Sequence, residues 1–156
     1  MLGTNPHPKA AFRALKLIYY ALNTGLMLFF FVGIYLNDMA IPDFKDRVDI
    51  LTIVNVLLLG MIPVGNMISG RKLAAIEAAD PFARKFEQFQ SAMILRWAII
   101  EGVALFSIVG LIVLQDGKQM VLFIICILVL SMNTISKEKV IRIAKLNKEE
   151  ARSLEG

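Results

Sequence analysis

The chain has 156 residues, and its apolar share is about 61% once Gly is counted and Tyr is not, against about 45–50% for soluble domains. Charged residues make up 19%, below the usual ~25%, and they are absent from residues 17–37, 50–70 and 119–136. Those runs are long enough to cross a bilayer, so the composition excludes an ordinary water-soluble domain and points to a small polytopic membrane protein.

The expected fold is all-α: a four-helix transmembrane bundle forming one integral membrane domain over residues 1–156. The first span covers about 15–37, with a helix beginning after Pro8 and a turn at Ile41, Pro42 and Asp43 beyond it. Tyr19, Tyr20 and Tyr35 suit interfacial belts near its ends. Its N-terminal flank is basic but no small-x-small cleavage site follows the long apolar run, which reads as a retained signal anchor. The second span covers about 49–70, starts among Asp46 and Asp49 where carboxylates favour a helix N-terminus, and is expected to run on to Ala79. Asp80 and Pro81 read as an N-cap followed by Pro in the first helical position.

The third span, about 91–114, carries only Arg96 and Glu101 as charges. Its helix begins well before the hydrocarbon, so helices two and three extend beyond the membrane. Phe82, Phe86, Phe89 and Met93 share one helix face, suited to packing against Leu73 and Ile76. Gln115 to Lys118 form a tight turn to the fourth span, about 119–136. Residues 137–156 form an amphipathic tail, with Lys137, Lys139, Arg142 and Lys145 expected to face lipid at the interface. The small-residue pairs Ala21 and Gly25, Gly65 and Ser69, Ala98 and Gly102 allow close helix approach.

Basic residues are retained on the cytoplasmic side of short loops. Thirteen Lys and Arg fall on the side of the N-terminus, the 71–85 segment and the tail, and three (Lys45, Arg47, Lys118) on the other. The expectation is a bacterial inner membrane protein with both termini cytoplasmic. The net charge of +4 is then topological, with the lipid bilayer as partner and no nucleic acid. Cys126 is the one Cys and His7 the one His, so neither a disulfide nor a metal cluster is expected. Phosphate-loop, zinc-helix and nucleophile-elbow motifs are missing from the sequence. No enzyme activity and no cofactor are expected.

One residue demands a chemical account. Arg96, with Trp97 beside it as an interface anchor, lies close enough to the boundary to snorkel. Glu101 lies about 16 Å deep at 1.5 Å per residue and reaches neither surface, so it must be protonated, paired or hydrated. Arg96 is five residues away, about 140° round the helix at 100° per residue, and is poorly placed to pair with it. Candidates at matching depth are Asn23, Thr24 and the Leu59 carbonyl, which Pro63 leaves without a donor. With no cation in view, the neutral acid is the expected form at neutral pH. Glu101 is thus a candidate proton or cation site; the alternative is a structural subunit in which it makes an interhelical hydrogen bond.

Residues 60–114, with Gly60, Gly65 and Gly70, a polar loop, and Ile99-Ile100-Glu101-Gly102-Val103-Ala104 on the second helix, resemble the hairpin of the proteolipid (c) subunit of rotary ATPases. That resemblance implies a membrane hairpin whose buried carboxylate, Glu101, binds a transported proton or sodium ion within a homo-oligomer or larger membrane complex. The whole chain also resembles small four-helix membrane proteins of Bacteroidota, which implies kinship without a mechanism.

Overall fold

The computed structural model describes residues 8–38 and 42–154; the expectations for His7, Ile41 and the last two residues lie outside them. The described residues form an all-α structure of seven helices: α1 Pro8–Leu36, α2 Ile50–Leu59, α3 Met61–Ala74, α4 Phe82–Leu114, α5 Gly117–Met132, α6 Lys137–Ile143 and α7 Lys148–Ser153. Three stretches are long and apolar enough to cross a membrane: Pro8–Leu36, Ile50–Ala74 and Phe82–Leu114. A fourth is added if α5 and α6, bent by 73°, make one broken span.

The second expected helix is interrupted. Gly60 donates its N–H to the Leu57 carbonyl at 3.0 Å, tightening the chain by one residue, and α3 starts afresh at Met61. Pro63 therefore falls in the first turn of α3, where a missing N–H costs nothing because those donors have no intrahelical acceptor. α3 ends at Ala74, short of the expected Ala79. The N-cap of α4 is Pro81, one residue later than expected, because the Asp80 carboxylate is engaged with the Glu77 N–H at 3.2 Å and Arg84 at 3.2 Å.

α4 is the axis of the bundle, with α1, α2, α3 and α5 packed against it. Small residues set how closely they approach. A Cβ on Gly65 would come within 2.5 Å of Ile99, so the backbone of α3 rests on that side chain. Gly33 of α1 faces Ile108 and Ile112. Of the three small-residue pairs, only Gly65 and Ser69 are buried; Ala21, Ala98 and Gly102 are exposed and Gly25 has open space above it. Trp97, expected as an interface anchor, is fully buried against Tyr19, with ring centroids 5.2 Å apart. Tyr19 is buried as well, while Tyr20 and Tyr35 stay exposed.

The first residues of α1, the α3–α4 turn and the tail share one end of the bundle, the basic end, where the Tyr19 hydroxyl donates to the Leu130 carbonyl at 3.1 Å. Phe86, Phe89 and Met93 are buried there together with Ile76, as their spacing predicts. The tail joins this core. Instead of one amphipathic helix it is two, broken where Lys145 takes a positive φ of 51°, and Val140, Ala144 and Leu154 are buried in the same cluster. Its apolar face therefore docks on the chain's own hairpin. Lys85, 1% exposed, donates to Glu150 at 3.0 Å and to the Lys145 carbonyl at 3.4 Å, and the Lys145 ammonium donates to the Ile76 carbonyl.

At the opposite end the 42–49 loop closes over the α4–α5 turn. Gly117 donates to the Asp43 carbonyl at 3.0 Å, and a Cβ on it would meet the Pro42 carbonyl at 2.8 Å. Asp116 caps α5 by accepting the Lys118 N–H at 3.0 Å and pairs with its ammonium at 3.3 Å. Lys118 in turn donates to the Lys45 and Arg47 carbonyls. Burial pushes the Asp116 pKa up, but the hydrogen bonds and positive charge of Lys118 outweigh it and hold the carboxyl below its ordinary value.

Two predictions follow from these ends. Glu150→Gln preserves the oxygen that caps α7 but leaves a buried ammonium without its counter-charge, a loss of about 3 kcal/mol for a broken buried pair; hydrogen exchange should show amides of residues 147–154 losing protection while α4 and α5 keep theirs. A depressed carboxyl stabilises the fold above its unfolded pKa of about 3.9 and loses that contribution as pH falls through the folded value. Thermal unfolding followed from neutral pH to below pH ~4 should therefore drop more steeply for the native protein than for Asp116→Asn.

Candidate functional site

Hydrocarbon offers polar groups no water, so each must find a partner in the protein or keep its distance from lipid. Two closed polar layers obey that rule. Nearer the basic end, the Arg96 guanidinium donates through Nε to Ser69 Oγ at 3.1 Å and through Nη1 to Asn133 Oδ1 at 3.0 Å. The indole of Trp97 donates to the Asn133 carbonyl at 3.4 Å. These bonds join α3 and α4 to the end of α5. Arg96 is thus turned inward onto neutral acceptors, where the sequence suggests only snorkelling.

The second layer joins α2, α4 and α5, and its members are all buried. The Asn55 amide donates to Ser107 Oγ at 2.9 Å and Gln119 Oε1 at 2.7 Å, Ser107 donates back to Asn55 Oδ1 at 3.2 Å, and Gln119 Nε2 donates to Thr52 Oγ1 at 2.9 Å. Gly110 makes room for it: a Cβ there would lie 2.7 Å from Gln119 Oε1. Sequence reasoning missed all four residues because it counted charges, and the amides lie within uncharged runs. Asn55 in the middle of Ile-Leu-Thr-Ile-Val-Asn-Val-Leu-Leu-Leu was the available signal.

Glu101 sits on α4 between these layers, about 7.5 Å along the axis from Arg96 and about 9 Å from Ser107 at 1.5 Å per residue. It belongs to neither. Its carboxyl makes no hydrogen bond and no ion pair among the described residues. The expected partners are elsewhere: Asn23 donates to its own helix at the Tyr19 carbonyl, 2.8 Å away, Thr24 is exposed, and Leu59 and Pro63 flank the break at Gly60 without reaching the acid. Arg96 does not clasp it. Glu101 is half-buried at the edge of the one face of α4 left uncovered, marked by the exposed Glu87, Ser91, Ala98, Gly102, Val109 and Val113.

An open cleft approaches it along that face. One part, about 380 Å³, is lined by Lys72, Arg84, Glu87, Gln88 and Ser91; a second, about 580 Å³, shares Lys72, Glu87 and Ser91 with it and continues past Ile94 to Ala98. Ala98 is three residues, about 4.5 Å of rise, short of Glu101. The cleft's polar lining ends at Ser91, about 15 Å of rise before the carboxyl, and Ile94, Leu95 and Ala98 line the part nearest Glu101.

The closed layer supplies a stability test. Gly110→Ala forces Gln119 to move, and Gln119 is fully buried and held by Asn55 and Thr52. Breaking interhelical bonds of this kind costs about 1 kcal/mol, so the variant should unfold at lower denaturant or temperature, and the additional change Gln119→Ala should recover part of the loss. No protein family, curated protein or solved structure matches the chain.

Proposed function

We propose that this chain is a four-span protein of the bacterial inner membrane, with both termini cytoplasmic, in which Glu101 is an exchangeable proton or cation site within a larger membrane assembly. The thirteen-to-three division of basic residues supports the orientation. The observation that carries the site is the unpaired carboxyl: of the two charged residues in the apolar part of α4, Arg96 is hydrogen-bonded inside the chain, and Glu101 has no partner among the described residues.

A carboxyl in such a setting is stable as the neutral acid and ionises only when water or a cation reaches it. The cleft from Arg84 to Ala98 offers an approach from the basic end. The uncovered face bearing Ala98 and Gly102 lets a neighbouring helix come close, so that a second subunit can cover the acid, as the likeness to a proteolipid hairpin implies. The structural alternative, an interhelical hydrogen bond within the chain, finds no support in the geometry of Glu101. Interhelical polar bonding is supplied by Asn55, Ser107 and Gln119 instead.

Carbodiimide labelling across a pH series, with peptide mapping, tests the proposal. Glu101 should be modified with a yield that depends on its protonation, and a permeant cation should protect it if a cation is the ligand. Glu101→Gln should abolish the labelling and any pH-dependent ion movement in proteoliposomes while thermal unfolding stays near that of the native protein. A carboxyl that resists modification at every pH, or a Gln variant that fails to fold, would remove the exchange reading and leave a structural one.

A further inference from the structure

Where α5 ends and the chain bends by 73° into α6, the surface changes from apolar to basic within a few residues. Met132, 81% exposed, is the last residue of α5. Immediately beyond it lies a cleft of about 420 Å³ lined by Met132, Thr134, Ser136, Glu138, Lys139 and Arg142. Lys139 closes one side by donating to the Thr134 carbonyl at 3.3 Å. Arg96 sits behind the cleft, fixed on Asn133.

Three cations thus gather at one point without a counter-charge. Neither Arg96, Lys139 nor Arg142 forms an ion pair among the described residues, and Glu138, the one acid in the cleft wall, is exposed and pairs with none of them. The crowding registers on Lys139: burial, and after it the charges of Arg96 and Arg142, hold its pKa below the ordinary value. A cluster of like charges beside an apolar surface is costly unless an anion joins it. Of the other basic residues in the tail, Lys145 is turned onto Ile76, and Lys148 and Arg152 lie on the separate helix α7.

We infer that this cleft binds the phosphate of an anionic phospholipid headgroup, with Lys139 and Arg142 as its ligands, Thr134 and Ser136 as neutral hydrogen-bonding neighbours, and the acyl chains lying along α5 past Met132. The geometry favours a lipid over a free anion because the cleft is continuous with the exposed apolar face of α5, which includes Leu128 and Ile125. Arg96 contributes the third positive charge from behind. The inference rests on the chain crossing a bilayer and is independent of any role for Glu101.

The full-length protein in detergent is titrated with phosphatidylglycerol, with phosphatidylcholine and with inorganic phosphate, and binding is read by native mass spectrometry alongside thermal unfolding. Phosphatidylglycerol should bind and stabilise. Lys139→Gln and Arg142→Gln should each weaken it about fivefold, the worth of one basic charge at a membrane surface. Glu138→Gln should tighten binding, which keeps the test decisive if a cation variant folds poorly. Equal binding of phosphatidylcholine, an equal loss in Lys148→Gln, or inorganic phosphate competing as strongly as the lipid would each overturn the assignment.

Discussion

The constraint on which the structure depends is that α4 must satisfy the helices around it while carrying the polar groups they share. Each of α1, α2, α3 and α5 packs on it, and apolar burial alone does not hold helices together in lipid. Close contact and shared hydrogen bonds do that work here. Gly65 brings α3 down onto Ile99, and Gly110 lets Gln119 of α5 reach under α4 to Asn55. These contacts fix the rotation of α4 about its own axis, and that rotation decides which of its residues face inward.

The rotation turns Ile100, Val103, Ala104 and Ser107 into the core and leaves Ala98, Gly102 and Val109 outside. Glu101 falls at the boundary. Two polar layers, one through Arg96 and one through Ser107, are closed on partners from three helices each. The acid between them has none among the described residues: groups bonded inside the bundle stabilise it, whereas the carboxyl at the edge of an open face keeps its hydrogen-bonding capacity unused.

The two ends of the bundle are built differently. At the opposite end the 42–49 loop, Asp116, Gly117 and Lys118 bond tightly to one another. At the basic end the tail docks through Lys85 and Glu150 onto the α3–α4 hairpin, placing α6 beside the exit of α5. Docking of Val140 and Ala144 on the chain's own core presents Lys139 and Arg142 at a fixed height next to Met132. A tail lying loosely on a lipid surface would give those cations no defined geometry.

The sequence by itself determined the class of the molecule: an all-α chain with three to four stretches long and apolar enough to cross a membrane, the Phe86–Phe89–Met93 core at the basic end, the tight turn before α5, and Glu101 as the residue in need of explanation. These follow from length, apolar runs and 3.6-residue spacing, which are written along the chain. Only the tertiary structure decided the partners. Asn55 meets Gln119 across 64 positions and Lys85 meets Glu150 across 65, Trp97 is enclosed where an anchor was expected, and Glu101 keeps none of Asn23, Thr24, Leu59 or Pro63. Partnership between side chains depends on the depth and rotation of each helix, and those are set by where glycines allow backbones to touch, a property of the packed bundle that no single segment carries.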